Sequence, residues 1–352
     1  MLFGHHQLDG RGRPTEDRFA VRKLLEGADL FAVFDGHSGS AVVKYTAEAL
    51  PRRIQAAMEA AGGPAALRNP TDLIPLLRTA FLEHDKDLAR QTAKLKSDSG
   101  STATVAIVTA THIIMAFCGD SPAFVINPFN GMILHEIGKH EPTLLSEAER
   151  IKAAGGFVEI DEYGTPRVDG SLMVSRAFGD FSLKWPEGTA APFEADWTRM
   201  KVTADPDIVV WPRPHVGVLA IMSDGLVETA TNALKPLAHV GRDIYVALKT
   251  SHYDLAKTAT VVNQRHAAAG VATQGPGHPY DGDDLTMLLV DVGLKEAGAV
   301  QAAGGATLAA AAAAGPAVGG AAIRVKSRKA RAGKRNKTGK RTRLAKIFCL
   351  QG

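Results

Sequence analysis

Residues 31–40 read FAVFDGHSGS, and this stretch decides which fold the chain can adopt. An apolar run of the kind that a buried strand carries stops abruptly at Asp35, Gly36 and His37. Two interpretations follow from this ending. The polar residues either form an ordinary turn at the end of a strand, or a buried sheet carries a carboxylate and an imidazole to a reactive site.

The sequence on either side of this stretch alternates between short β-branched runs and helix-prone runs. Three strand candidates lie between residues 102 and 127 with only small turn residues between them. Helix-prone segments come in pairs, at 40–61 and 71–96 and again within 232–268, and Pro51 is expected to break or kink the first of them. Consecutive strands joined by short turns favour an α+β fold with antiparallel sheets over a strictly alternating parallel sheet.

Charge is unevenly distributed along the chain. The 352 residues carry 41 basic and 37 acidic side chains, a net charge of +4, but residues 297–352 hold 12 Lys and Arg and no acid. The preceding body has 29 basic residues against 37 acidic ones, a charge of about −8. We therefore expect an acidic globular body and a basic tail with different partners.

Composition excludes several classes of protein. No apolar run approaches the ~20 residues of a membrane span. The N-terminus lacks a basic start followed by an apolar stretch, so no signal peptide is expected. Two cysteines, Cys118 and Cys349, do not suggest a disulfide framework, as is typical of a reducing compartment. With 45% hydrophobic residues, the chain can bury a sizeable core.

Carboxylates recur at the ends of predicted strands, as at Asp35. Buried and unpaired, each would be strongly unfavourable, and no Lys or Arg stands beside each one. A hard divalent cation would satisfy the whole set, because Mg²⁺ and Mn²⁺ prefer carboxylate, carbonyl and water oxygens. A simple turn is the alternative for any single position. The other acids at such positions are Glu16, Asp17, Asp120, Asp224, Asp283 and Asp284.

Eight motifs stand in order along residues 10–292, nearly the whole acidic body. They are RPTEDRF (13–19), VFDGHSG (33–39), SGSTATVAIV (99–108), CGDSPA (118–123), KHEPTLLSEAERIKAAGG (139–156), RVDGSLMVSRAFGD (167–180), MSDGLVE (222–228) and GDDLTMLLV (282–290). One such motif alone is a weak signal, but eight in a fixed order, several of them long, are specific. The chain thereby resembles the metal-dependent protein serine/threonine phosphatases, the PPM or type 2C family.

The resemblance implies a fold that agrees with the α+β pattern. It implies two antiparallel β-sheets that form a central β-sandwich flanked by α-helices, in α-β-β-α layers. We expect this phosphatase domain to span residues 1–295, with a short first strand. An Ala/Gly-rich linker at 296–322 and a basic, disordered tail at 323–352 are expected to follow it.

The resemblance also implies two Mn²⁺ or Mg²⁺ ions per site at one end of the sandwich. Asp35 matches the family's bridging carboxylate, and the carbonyl of Gly36 matches a further ligand. Asp224 and Asp283 match direct ligands of one metal. In the family, a hydroxide that bridges the two ions attacks the phosphorus of phosphoserine or phosphothreonine in proteins.

Further residues match supporting roles in the family. Glu16 and Asp17 match the acidic pair that holds metal-bound waters. His37 matches the histidine that protonates the departing serine or threonine oxygen. Asp120, together with Glu228 at a position where aspartate is common, matches a third metal site found in some members.

The chain departs from the family pattern near the phosphate and near the metals. The phosphate-binding arginine usually lies four residues before the glutamate matched by Glu16. Gly12 occupies that position here, and we expect Arg13 to take the role because a one-residue deletion would bring it into place. Asp284 replaces a common asparagine, and this added acid would either tighten a cation or disturb the site.

Other polar residues of the motifs are interpreted as structural. Arg176 and Asp180 are expected to form an ion pair that shapes their loop. His5 and His6 are expected at the surface of the N-terminal segment rather than in a metal site.

The basic segment 324–346 has three interpretations: a signal for an import receptor, a patch for nucleic acid or an anionic membrane, or a solvated tail. We expect a monomer that acts on phosphorylated proteins in the cytoplasm or the nucleus. One alternative is a catalytically weak family member that serves as a binding or scaffold module. Another is a protein whose basic tail is its primary binding element.

Overall fold

A computed structural model of the chain describes residues 1–10, 14–95, 98–185, 191–227, 236–274 and 282–294. The linker and tail predicted for residues 296–352 lie outside the described residues. Within them, the predicted fold class is confirmed, because two antiparallel sheets are flanked by helices. None of the helices in this part of the chain is long and apolar enough to span a membrane.

The strands of the described residues are, in chain order, β1 (Phe3–Leu8), β2 (Arg18–Leu25), β3 (Ala28–Phe34), β4 (Gly36–His37), β5 (Gly100–Ser101), β6 (Ala103–Thr109), β7 (His112–Cys118), β8 (Ala123–Ile126), β9 (Ile133–Glu136), β10 (Val158–Ile160), β11 (Pro166–Val168), β12 (Phe178–Gly179), β13 (Asp207–Pro212), β14 (Val218–Met222) and β15 (Leu285–Asp291). The α-helices are α1 (Ala41–Ala60), α2 (Leu73–Leu95), α3 (Leu145–Ala153), α4 (Phe181–Lys184), α5 (Leu237–Thr250) and α6 (Leu255–Gln274).

Two five-stranded sheets form the body of the molecule. One sheet has the strand order β13-β7-β6-β3-β2, and the other has the order β1-β15-β14-β8-β9. A three-stranded sheet, β12-β5-β4, and the hairpin β10-β11 complete the strands. Every pairing between these strands is antiparallel, as expected for strands joined by short connections.

Strand β3 shows why its sheet is covered on both faces. Leu30, Ala32 and Phe34 belong to an apolar cluster that includes residues of α1 and α2. The alternate residues Phe31 and Val33 belong to a second cluster shared with the other sheet. Because successive side chains of a strand point to opposite faces, an uninterrupted apolar run fits a strand buried on both sides.

Strand β15 shows the same arrangement in the other sheet. Met287 and Leu289 pack in a cluster with α5 and α6, whereas Leu288 and Val290 pack in the cluster between the sheets. The layers are therefore a helix pair, a sheet, a sheet and a second helix pair. Burial of both faces of both sheets holds the strand ends in register, and those ends carry the acidic residues.

Replacement of a side chain between the sheets tests this layering. Phe31 is 1% exposed, and Phe31→Ala should lower the free energy of unfolding by about 3–5 kcal/mol because it leaves a cavity. Phe157 is 55% exposed, so Phe157→Ala is the matched control and should change that free energy by at most about 0.5 kcal/mol. Urea denaturation measures both, and equal losses would contradict the placement of Phe31.

Candidate active site

The first sheet brings two acidic residues to one of its ends. Arg18 at the start of β2 pairs with Phe34 at the end of β3, so Asp17 and Asp35 lie on neighbouring strands at the same end. Thr102 lies beside Asp35 at the start of β6. Its backbone N–H donates to the carbonyl of Asp35 at 2.8 Å, and its Oγ1 accepts from the N–H of Asp35 at 3.1 Å.

Asp120 reaches the same end of this sheet from β7. Ala103 of β6 pairs with Cys118 of β7, so the residues after β7 lie beside those before β6. The Oγ atoms of Thr102 and Ser121 lie 2.8 Å apart and join the two segments.

The second sheet supplies two more acids. Met222 at the end of β14 pairs with Met287 near the start of β15, which places Asp224 next to Asp283. A Cβ added at Gly225 would lie 3.2 Å from the Cβ of Asp283, so these two turns touch at a position where a side chain has no room.

One side chain joins the two sheets at this end. Gln7 of β1 donates from Nε2 to Oγ1 of Thr286 at 3.0 Å and to the carbonyl of Asp17 at 3.4 Å. The acids of both sheets therefore belong to one end of the sandwich.

Like charges surround Asp35, which is half-buried. Burial and, after it, the neighbouring charges raise the pKa of Asp35 well above its ordinary range. The carboxylates whose charges contribute to this shift are Asp17, Asp224, Asp283 and Asp120. The cluster is thus close enough for its members to repel one another.

Asp17 is the most enclosed member of the cluster, at 1% exposed. Burial raises the pKa of Asp17 to about 6, against the opposing hydrogen bonds of Thr286 and Ser223. Its Oδ2 is buried and has no hydrogen-bond partner among the residues that the structure describes. A buried carboxylate oxygen of this kind fits a site that a cation or its water would complete.

The donor set is one that a hard divalent cation prefers, because it consists of carboxylate oxygens. Among the described residues, no three acidic, histidine or cysteine side chains stand close enough together to hold a metal ion by themselves. The mutual repulsion around Asp35 and the unpartnered oxygen of Asp17 nevertheless fit a bound cation.

Gly36 lies against the segment that carries Glu16. A Cβ added at Gly36 would lie 2.6 Å from the carbonyl oxygen of Glu16 and 2.8 Å from Cγ1 of Val43. These distances are below van der Waals contact, so only glycine allows β4 to pass here. The close approach brings Glu16 beside the residues predicted to bind metal.

Asp284, which replaces the common asparagine, accepts hydrogen bonds from the backbone. Its Oδ1 accepts from the N–H of Gly10 at 2.7 Å, and its Oδ2 accepts from the N–H of Glu16 at 2.8 Å. Both carboxylate oxygens thus accept a hydrogen bond, and Asp284 as a residue is 6% exposed. An asparagine offers one acceptor and would turn an amide N–H₂ toward a backbone donor.

His37 contacts an acid that sequence reasoning assigned elsewhere. Its Nε2 lies 2.8 Å from Oδ1 and 2.9 Å from Oδ2 of Asp180. Burial alone lowers the pKa of His37, but the charge and hydrogen bond of Asp180, with smaller contributions from Asp120 and Glu16, raise it above its ordinary value. These contributions also place His37 beside the acidic cluster.

The predicted ion pair between Arg176 and Asp180 is therefore wrong. Arg176 instead donates from Nη2 to Oε1 of Glu147 at 2.6 Å and from Nη1 to Oδ1 of Asp207 at 3.1 Å. Arg150 bonds the same glutamate. Arg176 thus ties α3 to β13, because Glu147 of α3 is buried and needs cationic partners.

Two of the residues predicted from the sequence cannot be placed in the site. Arg13 and Glu228 lie outside the described residues, so the phosphate-binding arginine and the third metal site stay predictions. His5 is exposed and its ring lies 4.1 Å from that of Phe19, whereas His6 is half-buried in β1. Sequence reasoning missed the roles of Asp180 and Asp284, whose only signal was their position inside quoted motifs.

A family model gives the class of protein. The model of the family "Protein phosphatase 2C" matches residues 1–234. The chain therefore belongs to the protein phosphatase 2C family, a family of metal-dependent enzymes.

Individual relatives agree with this assignment. The chain is 31% identical over 238 residues to a mouse protein named "Probable protein phosphatase 1N", over 66% of this chain and 54% of that protein. It is 32% identical over 246 residues to mouse "Protein phosphatase 1B", over 66% of this chain and 59% of that protein. The alignments thus span between half and three-fifths of these curated relatives.

Solved structures share the fold. A phosphatase from Toxoplasma gondii superposes with a TM-score of 0.65 at 21% identity, over 81% of this chain and 90% of that one. A serine-threonine phosphatase 2C from the same organism gives a TM-score of 0.63 at 18% identity, over 82% and 94%. At this level of identity the likeness shows the fold.

Loss of one acceptor at Asp284 should loosen the backbone of Glu16. In Asp284→Asn, amide hydrogen exchange at Gly10 or Glu16 should become about 10- to 100-fold faster, because a hydrogen bond to a charged group is lost. The N–H of Thr15 donates to Asp9 instead and serves as the internal control. Unchanged protection at both Gly10 and Glu16 would show that Asp284 does not hold this segment.

The ion pairs of Glu147 should make the free energy of unfolding depend on pH in the acidic range. Burial opposes ionisation, but Arg176 and Arg150 outweigh it and lower the pKa of Glu147 to about 2 from an ordinary 4.5. The contribution of the ionised Glu147 to the free energy of unfolding is full above pH 4.5. It is lost as the pH falls toward 2, because the unfolded chain binds the proton first.

Glu147→Gln should therefore lower the free energy of unfolding by roughly 3 kcal/mol at pH 7, and by less than half of that near pH 3. Urea denaturation of both proteins at pH 7, 5 and 3 measures the difference. A difference that stays constant over this range would refute the low pKa of Glu147.

Proposed function

We propose that this protein hydrolyses phosphoserine and phosphothreonine monoesters in proteins with the help of divalent cations. The observation that supports this function most directly is the position of Asp35 among four other carboxylates at one end of the sandwich. A cluster of like charges at the end of a rigid sheet is suited to a cation. Membership of a metal-dependent phosphatase family supports the same function.

Named residues would hold the ions, two Mn²⁺ or Mg²⁺ per site. The carboxylates of Asp35, Asp224 and Asp283 and the carbonyl of Gly36 would be their ligands. When bound, such ions lower the pKa of water and offset the negative charge of the phosphate. Asp17 would orient a water molecule through its unpartnered Oδ2.

His37 would supply the proton for the leaving group. The side chain is 25% exposed, so a substrate can reach the ring, and it lies within the electrostatic reach of Asp120 and Glu16. A raised pKa favours the protonated ring, and a protonated ring can donate to the departing serine or threonine oxygen. Without that proton, the oxygen would leave as a poorly stabilised alkoxide.

A phosphothreonine peptide tests the function directly. Released phosphate is measured with and without Mn²⁺ for the wild type and for Asp224→Asn. The variant should lose about 100-fold or more in kcat, because loss of a ligand removes several kcal/mol of transition-state stabilisation. The matched control is Asp29→Asn, at the opposite end of β3 from Asp35, which should keep activity within about 2-fold of wild type.

Two results would overturn the proposal. The first is an absence of turnover by a wild-type protein that is folded and that binds Mn²⁺ in a calorimeter, which would favour a binding or scaffold module. The second is turnover that persists unchanged in Asp224→Asn, which would place the reaction elsewhere in the molecule.

A further inference from the structure

The contact between His37 and Asp180 occupies one of the two nitrogens of the ring. Nε2 of His37 lies 2.8 and 2.9 Å from the two carboxylate oxygens of Asp180, so its hydrogen is donated to that carboxylate. The side chain of Asp180 is 6% exposed, whereas that of His37 is 25% exposed. Only Nδ1 is left to exchange a proton with a substrate.

A glycine makes room for this contact. Gly100 of β5 pairs with His37 of β4 on one side and with Gly179 of β12 on the other. A Cβ added at Gly100 would overlap both Nε2 of His37 and the carboxylate of Asp180. The small sheet thus brings the ring and the carboxylate together across a strand that carries no side chain at this point.

The backbone of Asp180 is held in an uncommon conformation. Its φ of 49° and ψ of 44° lie in the left-handed region, which residues other than glycine seldom adopt. The N–H of Asp180 donates to the carbonyl of Ser99 at 3.3 Å, and the N–H of Gly179 donates to Oδ1 of Asp85 at 3.0 Å. These bonds hold the turn in place.

A buried ion pair also holds the turn at Asp180 in place. Asp85 of α2 pairs with Lys184 of α4, and the two side chains are 1% and 0% exposed. Nζ of Lys184 also donates to the carbonyl of Ala177 at 2.9 Å. Residues 177–184 are thereby fixed to α2, and Asp180 is fixed with them.

We propose that Asp180 is a positioning residue that acts through His37, and this inference rests on the proposed function. Asp180 holds Nε2–H, which sets the orientation and the tautomer of the ring and leaves Nδ1 as the atom that donates. When the P–O bond of the ester breaks, its electron pair takes the proton from Nδ1. Water supplies the new oxygen on phosphorus and releases a proton to solvent, from which the ring is protonated again.

Two substrates with different leaving groups test this role. A phosphothreonine peptide needs the proton, because its leaving group is an alkoxide, whereas p-nitrophenyl phosphate releases a stable phenolate that does not. In Asp180→Asn, kcat for the peptide should fall by about 10- to 100-fold, while kcat for p-nitrophenyl phosphate should fall less than about 5-fold. His37→Gln should show the same pattern, and the double variant should be no slower than His37→Gln.

If Asp180 had a purely structural role, Asp180→Asn would lower kcat equally for both substrates. If Asp180 had no role, kcat would be unchanged for both. Either result overturns the proposal. Asp29→Asn is the control for loss of one acid and should change neither rate by more than about 2-fold. If the wild type cleaves neither substrate, that result contradicts the proposed function and not the inference about Asp180.

The ring tautomer provides a measurement that needs neither catalysis nor metal. Two-bond ¹H–¹⁵N correlations of the wild type, assigned by comparison with His37→Gln, should show the neutral ring of His37 protonated at Nε2. A neutral ring protonated at Nδ1 would overturn the inference. The tautomer is readable even where Asp180→Asn fails to fold.

Discussion

Repulsion between the carboxylates around Asp35 is the constraint on which the rest of the structure depends. Burial and, after it, the neighbouring carboxylates raise the pKa of Asp35, so the folded chain holds like charges closer together than they would stay in an open chain. Apolar packing provides the force that holds them. Each sheet is buried on both faces, so a strand cannot shift its acidic end without exposing core residues such as Phe31 and Leu288 to water.

The acids at this end of the sandwich divide into two kinds. Asp35 and Asp17 lie in the cluster whose charges repel one another, and a cation would relieve that repulsion. Asp284 and Asp180 lie beside the cluster but use both oxygens on the chain itself: Asp284 on backbone N–H groups, Asp180 on the ring of His37. A carboxylate beside the proposed metal ligands is thus not necessarily a ligand itself, and its hydrogen bonds tell the two kinds apart.

Local pattern predicted the central strands well and the outer ones poorly. The three strands predicted between residues 102 and 127 are β6, β7 and β8, and nearly every residue of these strands is buried. The resemblance implied a short first strand, but the local pattern did not place it in the polar sequence FGHHQL, because β1 is defined by its pairing with β15. Of the two effects expected of Pro51, a break is wrong, because α1 continues through Pro51 from Ala41 to Ala60 with the proline buried, and tertiary packing can outweigh local propensity.

The sequence by itself determined the layers, the position of acids at the strand ends and the contrast between an acidic body and a basic tail. These properties depend on the order of residues along the chain, and periodicity and motif order carry them. Only the tertiary structure decided that Asp180 bonds His37, 143 residues away, and that Asp284 bonds Glu16, 268 residues away. Such contacts depend on strand register, on a missing Cβ at Gly100 and on a left-handed turn, and no local sequence pattern specifies where those features meet.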